Sequence, residues 1–286
     1  MPTPMQFKTV NDFLTHIHTE IKNNRLILPS LPDVAIKVRE VINKGDATAP
    51  EIAEIISTDA VIAARLIQVA NSPLYSGTTE IKSIQLAIAR LGNNTIRTLV
   101  TTIAMRQLYT LQSKNLEQQF KNIWQESIEV AATSRAFATF TPHLNADEAM
   151  LAGLIHQIGK LPILALADNI PSFRDHPKRL EKLLEKAHGP VAKIIMDSWN
   201  FPDDLKLVAS EYCNMDYDSG ANQPSTYVDV IQVAYLQSLK KPEFAGKIID
   251  WDQLFSFKKL GFASDIEVLE IKGIPEKIKS ARESLL

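Results

Sequence analysis

The sequence predicts an all-α protein, and three observations carry that prediction. Apolar residues recur at spacings of three and four through nearly the whole chain. No stretch alternates convincingly enough to be a strand. Pro, Asn, Asp and Gly stand where the periodic runs begin and end.

The first run, 7–23, places Val10, Phe13, Leu14, Ile17 and Ile21 on one stripe, with His16 and His18 read as surface positions. Pro29 and Pro32 stop it and open the next helix, which carries Val34, Val38, Val41 and Ile42 as far as a Gly45 cap. Thr48 and Glu51 form a capping box for a short helix over 51–57. Asp59 caps another that runs to Asn71, where Ser72-Pro73 ends it. A helix over 83–91 closes at Gly92. Longer ones are expected over 94–112 and 114–139, and Asn145 caps the helix that carries His156. Helices over 179–188, 189–199, 203–213 and 225–239 follow, with 214–224 as the longest loop. Beyond Lys240-Lys241-Pro242 the composition changes, and a short extension ends in a helix over 274–285.

Composition narrows the function classes. A net charge of −2 does not draw the whole chain toward nucleic acid or anionic lipid. The single cysteine, Cys213, excludes an internal disulfide and has no zinc-site spacing. Ten thinly spread glycines contain no phosphate-binding loop. The stretch 149–167 approaches a membrane span in length, but His156, Gln157, Lys160 and Pro162 favour two successive core helices. The start, MPTPMQFKTV, shows no targeting signal, so a cytoplasmic location is expected.

Two blocks read together resemble a known family. The first is LPSLPDVAIKVREVI, EIAEIISTDAVIAARLIQVANSPLYSG and IKSIQLAIARLG; the second is IWQESIEVAATSRAFA, AGLIHQIGKLPIL and HGPVAKIIMDSWNFPDDL. Over about 28–239 they resemble the HDOD domain, a relative of the HD phosphohydrolases. ANS-x-x-Y (Ala70 to Tyr75) and AI-x-x-LG (Ala87 to Gly92) are its most specific signatures. The resemblance implies an N-terminal helix over 1–27, an HDOD domain over 28–240 and a helical extension over 241–286. Within the domain, a helical subdomain spans 28–113 and an HD-like subdomain 114–240.

In catalytic HD relatives, histidines and aspartates hold one or two divalent metals that activate water against a phosphoester. HDOD proteins are similar in fold, commonly lack that ligand set, and are regarded as signalling or regulatory modules. By this resemblance the family's first histidine falls on Glu126, the His-Asp doublet on His156-Gln157 and a further histidine on His188. The later histidine pair falls on Glu211-Tyr212, and the last aspartate on Tyr235. Gln157 offers one neutral carbonyl, and the Tyr235 phenol, with a pKa near 10, is a poor ligand for Mg or Mn.

The implied protein is a non-catalytic regulatory module with no catalytic residue, metal or cofactor. Its partner would be a protein in a bacterial signalling pathway or a small ligand in the vestigial cleft, not nucleic acid or a membrane. Three alternatives stay open. A remnant site of His156, His188, Glu126 and Glu211 would make it a metal-dependent phosphohydrolase. His156 and His188 equally read as histidines bonded to carbonyls, His188 at a helix end. Lys160 either meets an anion or complements the end of its helix. The hairpin 49–71 superficially resembles a DNA reader, but Arg65 is the one basic side chain in its second helix. Trp124 and Trp199 read as core anchors.

Overall fold

The computed structural model describes residues 7, 10–22, 31–75, 77–108, 117–168, 170–174, 176–220, 223–239, 243–244, 247–248, 250–262 and 273–286. The linker with Pro29, the stretch 109–116 and the junction at 240–242 lie outside these residues, as does the side chain of His18.

The fold is all-α. Its first half consists of α1 (Val10–Lys22), α2 (Asp33–Lys44), α3 (Ala49–Ser57), α4 (Ala60–Ala70), α5 (Ile84–Leu91) and α6 (Asn93–Leu108). Then come α7 (Glu117–Ala138), α8 (Ala146–Ile155), α9 (Lys160–Ala167), α10 (Pro171–Arg174), α11 (Pro177–Ser198), α12 (Asp203–Glu211) and α13 (Tyr227–Ser238). A hairpin of β1 (Glu243–Phe244) and β2 (Lys247–Ile248), α14 (Phe255–Lys259) and α15 (Ile274–Leu285) complete it. The hairpin corrects the expectation of no strand. Its two-residue strands are too short for alternation to register in a sequence.

The expected punctuation forms. Asp59 accepts from Val61 and Ile62 and Asn145 from Asp147 and Glu148, while of the capping box at Thr48 the bond from the Glu51 amide forms; Ser83, expected inside its helix, is its cap and accepts from Leu86. Gly45 and Gly92 end their helices with φ of 88° and 79°, where a side chain would be strained. A capping box at Thr226 and Asp229 starts α13.

One boundary differs. The helices expected over 179–188 and 189–199 are a single helix, α11, which runs through Pro190. A proline inside a helix costs about 3 kcal/mol. Burial of Leu180, Leu183, Ala187, Val191, Ala192, Ile195 and Met196 along the same face offsets it. The helix stops at a Schellman turn. Phe201 N–H reaches Met196 O, Asn200 N–H reaches Asp197 O, and Asn200 takes a φ of 52°.

Helices α2 to α6 pack on one another, and α6 joins them to α8. The long α7 lies against α8, α13 and α15, while α11 packs on α9, α12 and α1. The ANS-x-x-Y signature ties the two sets. Asn71 brackets its loop by bonding both the N–H and the carbonyl of Ile81, at 2.8 Å each. Tyr75 donates to Asp147 at 2.6 Å, and Asp147 also pairs with Arg135. Asn71 and Tyr75 thus close a loop and fasten it to α8.

The C-terminal helices share this core. α14 packs on α13, with Ser256 Oγ donating to the buried Asp229 (2.9 Å), and α15 packs on α7 through Ile278, Ala281 and Leu285. Arg65, the basic residue of the 49–71 hairpin, bonds Gln68 and the Ser284 carbonyl, so it fastens α15 rather than facing outward. The stretch 146–167, long and apolar enough to cross a membrane, is mostly buried in the protein. Trp199 is buried and Trp124 packs partly buried against the core. His16 is half-buried against the Phe7 ring, not a free surface position.

Candidate functional site

The turn between α8 and α9 is built around two close approaches. A Cβ on Gly153 would lie 2.4 Å from Ala131 Cα, and one on Gly159 would lie 2.0 Å from the His188 carbonyl oxygen. Only glycine allows either contact. The first seats α8 on α7. The second presses the start of α9 onto the middle of α11, and so brings His156, Gln157, Lys160 and His188 together.

His156 follows the last residue of α8 and is fully buried. Its Nδ1–H donates to Gly153 O at 2.6 Å, which leaves Nε2 as the acceptor. Gln157 Nε2 donates to that nitrogen at 3.1 Å, and Gln157 Oε1 accepts from Lys160 Nζ at 2.5 Å. The amide is therefore an adaptor, donating to the imidazole and accepting from the ammonium. Lys160 is the first residue of α9, the end of a helix where a cation is disfavoured. The reading of Lys160 as a complement to its helix end is thereby corrected: Gln157 holds it.

His188 lies inside α11, not at a helix end, and this corrects the other reading. Its Nδ1 lies 2.8 Å from Leu184 O and 3.1 Å from Glu185 O, one turn back on the same helix. Cys213 Sγ is 3.5 Å from its Nε2. Tyr212 is buried with its ring edge-on to both imidazoles, at centroid distances of 4.7 Å to His156 and 5.3 Å to His188. Tyr235 packs on Tyr212 at 5.0 Å and on His156 at 5.7 Å. The two phenols fill the space beside the histidines.

Electrostatics follow from this packing. Burial, with Lys160 and His188 adding to it, pushes His156 down to about 3 against the opposing bond to Gly153. Burial and Lys160 push His188 down to about 4. Both imidazoles are neutral. Burial also lowers Lys160, while Glu126, Cys213 and Glu185 act to raise it. Burial raises Tyr235 and Cys213. Of the two glutamates singled out in the sequence, Glu126 acts on Lys160 and Tyr235 by its charge alone, with no hydrogen bond to either, and Glu211 bonds outside the cluster. Glu211 is half-exposed and accepts from Asn214 at 2.8 Å. Glu126 is half-buried on α7, and the hydroxyl of its neighbour Ser127 is buried with no hydrogen-bond partner among the described residues.

Of the residues singled out in the sequence, the fold brings His156, Gln157, Lys160, His188, Tyr212 and Tyr235 into one cluster and turns Glu211 out of it. As a donor set the cluster does not fit a hydrolytic metal. That chemistry needs anionic or imidazole ligands converging on an open position. Here the accepting nitrogen of His156 is already bonded, an ammonium is wired to it, and no carboxylate lies between them. Among the described residues no group of three His, Cys, Asp or Glu side chains is placed to hold an ion.

Sequence reasoning missed Arg39. Val41 was expected on the buried stripe of α2, but it is half-buried, and Arg39 is buried instead, 7% exposed. The signal was present: Arg39 stands four residues after the buried Ala35 and beside Val38. Asp229 and Gln232, fully buried polar residues of α13, were also missed.

Comparisons with known proteins agree with this architecture. The HDOD domain family matches residues 28–213. A proposed metal-dependent phosphohydrolase of Shewanella amazonensis SB2B is similar in structure, with a TM-score of 0.80 and 30% identity over 97% of this chain and 99% of that one. An HDOD domain protein of unknown function from Geobacter sulfurreducens shares the fold, with a TM-score of 0.66 and 22% identity over 97% and 98% of the two chains. A proposed signal transduction protein of Marinobacter aquaeolei VT8 does so too, with a TM-score of 0.60 and 19% identity over 96% of this chain and 64% of that one. No curated protein matches. The family match, the near end-to-end likeness to the Shewanella protein and the Asn71 and Tyr75 signatures place this chain in the HDOD domain family.

Proposed function

We propose that this protein is a non-catalytic regulatory module, working in the cytoplasm through contacts with a protein partner of a bacterial signalling pathway. One observation carries the reading: Lys160 donates to Gln157, and Gln157 donates to His156. Where HD hydrolases place a carboxylate beside a metal-binding histidine, this chain holds an amide and a fixed cation. A divalent ion there would meet a like charge in a region of low dielectric. The cluster's role is then to lock α9 on α11 so that the helical surface keeps one shape.

The second reading, a residual metal-dependent phosphohydrolase, is favoured by the description of the Shewanella relative. One experiment separates the two. The purified chain, equilibrated with Mn2+ or Mg2+, is analysed for metal and assayed on bis-p-nitrophenyl phosphate. The expected result is sub-stoichiometric metal and no turnover above background. Stoichiometric metal that disappears in His156→Ala, with turnover, would overturn the regulatory reading.

A further inference from the structure

A cavity of about 450 Å3 lies between α2 and α6 on one side and α8, α12 and the turn before α12 on the other. None of its lining residues belongs to the His156 cluster. Small-molecule sites run from about 300 to 1,000 Å3. A second space of about 340 Å3 adjoins it and shares Arg39, Asn43 and Asn200 with it. The charged side chains around the first are Arg39, Arg97, Glu148 and Asp204, with Asn43, Thr98, Thr101 and Asn200 as its neutral polar residues.

We propose that this cleft binds a small molecule through a carboxylate or phosphate group held by Arg39. The inference is independent of whether the His156 cluster is catalytic. Arg39 is 7% exposed, and its guanidinium carbon sits over the Phe201 ring, 3.8 Å from the centroid. Its hydrogen bond runs from one terminal nitrogen to the Asn200 carbonyl at 3.1 Å. That carbonyl is presented by the Schellman turn that ends α11. A guanidinium carries five N–H donors, and among the described residues the Asn200 bond is the one Arg39 makes. A buried cation with most of its fork unused is an uncommon arrangement. Burial and the neighbouring Arg97 push Arg39 down to about 10, against a weaker opposing pull from Glu148. Among the described residues the charge has no carboxylate within ion-pair distance.

The nearby carboxylates are committed elsewhere. Glu148 pairs with Arg97 at 2.9 Å and accepts from the Tyr227 hydroxyl at 2.9 Å. Arg97 in turn donates to Asn43 at 2.9 Å. Asp204 accepts from the Leu205 N–H at 2.8 Å, and burial raises its pKa. The contact with Phe201 restrains the Arg39 side chain, whose planar fork is the geometry that meets an oxyanion bidentately. Asp204 is the like charge that limits how much negative charge the cleft tolerates. The ligand would touch α2 and α6 across from α8 and α12, and so bridge the two sets of helices.

The test is a titration of the full chain with inorganic phosphate and with malonate, against chloride at matched ionic strength, read by the arginine side-chain Nε–H NMR signals. The expected result is saturable binding of at least one probe, and the one that binds tells phosphate from carboxylate. Arg39→Gln should weaken it about tenfold or more, the loss of a charge-assisted bond. Asp204→Asn, which keeps an acceptor for Leu205 N–H, should tighten it several-fold. If Arg39→Gln does not fold, Arg39→Lys, with the charge but no fork, must still weaken binding while Asp204→Asn strengthens it. No saturable binding of either probe to the wild-type chain would overturn the proposal. So would affinities that neither the Arg39 variants nor Asp204→Asn change.

Discussion

The two polar regions of this molecule handle buried charge in opposite ways. In the turn between α8 and α9, both nitrogens of His156 and both ends of the Gln157 amide are bonded, the half-buried Lys160 ammonium gives a bond to that amide, and two tyrosine rings pack beside them. In the cleft between α2, α6, α8 and α12, Arg39 keeps most of its donors unused beside open volume. A closed polar network specifies packing, because each group left unpaired would carry the full penalty of desolvation. An open one retains the capacity to bind. On the proposed reading, the place that corresponds to the catalytic relatives' site is the stiff region, and the receptive region lies elsewhere.

The sharpest way to break that contrast is at Gly159. Its missing Cβ would sit 2.0 Å from a backbone oxygen of α11, which no rotamer change relieves. Gly159→Ala should lower stability by about 3 kcal/mol or more, as overpacked backbone contacts do, measured by urea denaturation. A loss below about 1 kcal/mol would mean that the α9–α11 contact yields and the cluster is not stiff.

Acid is the next probe. His156 and His188 are held down to about 3 and 4, chiefly by burial. In the unfolded chain both titrate near 6.5. Above that value both are neutral in either state and contribute nothing. Below it the unfolded chain takes up protons that the folded one refuses, so stability falls as the pH drops from about 6.5 toward 4. Each histidine adds a slope approaching about 1.4 kcal/mol per pH unit. His156→Phe should remove about half of the histidine slope between pH 6 and pH 4.5, while carboxylate contributions remain common to both proteins. Identical slopes in the two proteins would show that His156 is hydrated.

How much of this was legible in the sequence depended on whether the signal was local. Caps such as Gly45, Asp59 and Asn145 are local, and they form where the residue types put them. Five of the cluster residues were named through family resemblance and Lys160 as a cation beside them, and the fold gathers all six. The wiring between them was not legible. Gln157 and Lys160 are three residues apart, but their bond depends on Gly159 meeting α11, a contact between distant segments. The break expected at Gly189-Pro190 failed for the same reason: local propensity gave way to the buried face of α11. Tyr212 rather than Glu211 turns inward at the end of α12, a choice of helix face that one residue of register decides.

The smallest expected effect belongs to the open region and sharpens the comparison from that side. Arg97 and Glu148 pair at 2.9 Å, with side chains 25% and 27% exposed. Such a pair borders water, and its Coulomb gain is largely offset by desolvation and lost side-chain freedom. Arg97→Met keeps the aliphatic bulk against α2 and leaves Glu148 its bond from the Tyr227 hydroxyl. The loss in stability should be about 0.5–1 kcal/mol, shrinking further in high salt. By contrast, Gln157→Met would leave the fully buried His156 acceptor unpaired and take from the half-buried Lys160 ammonium its bond to the amide, at a cost of about 2 kcal/mol. Denaturation of the two variants side by side checks the ranking. If Arg97→Met cost as much as Gln157→Met, the cleft would be a locked network like the first, and its open volume would not mark a place built to receive a ligand.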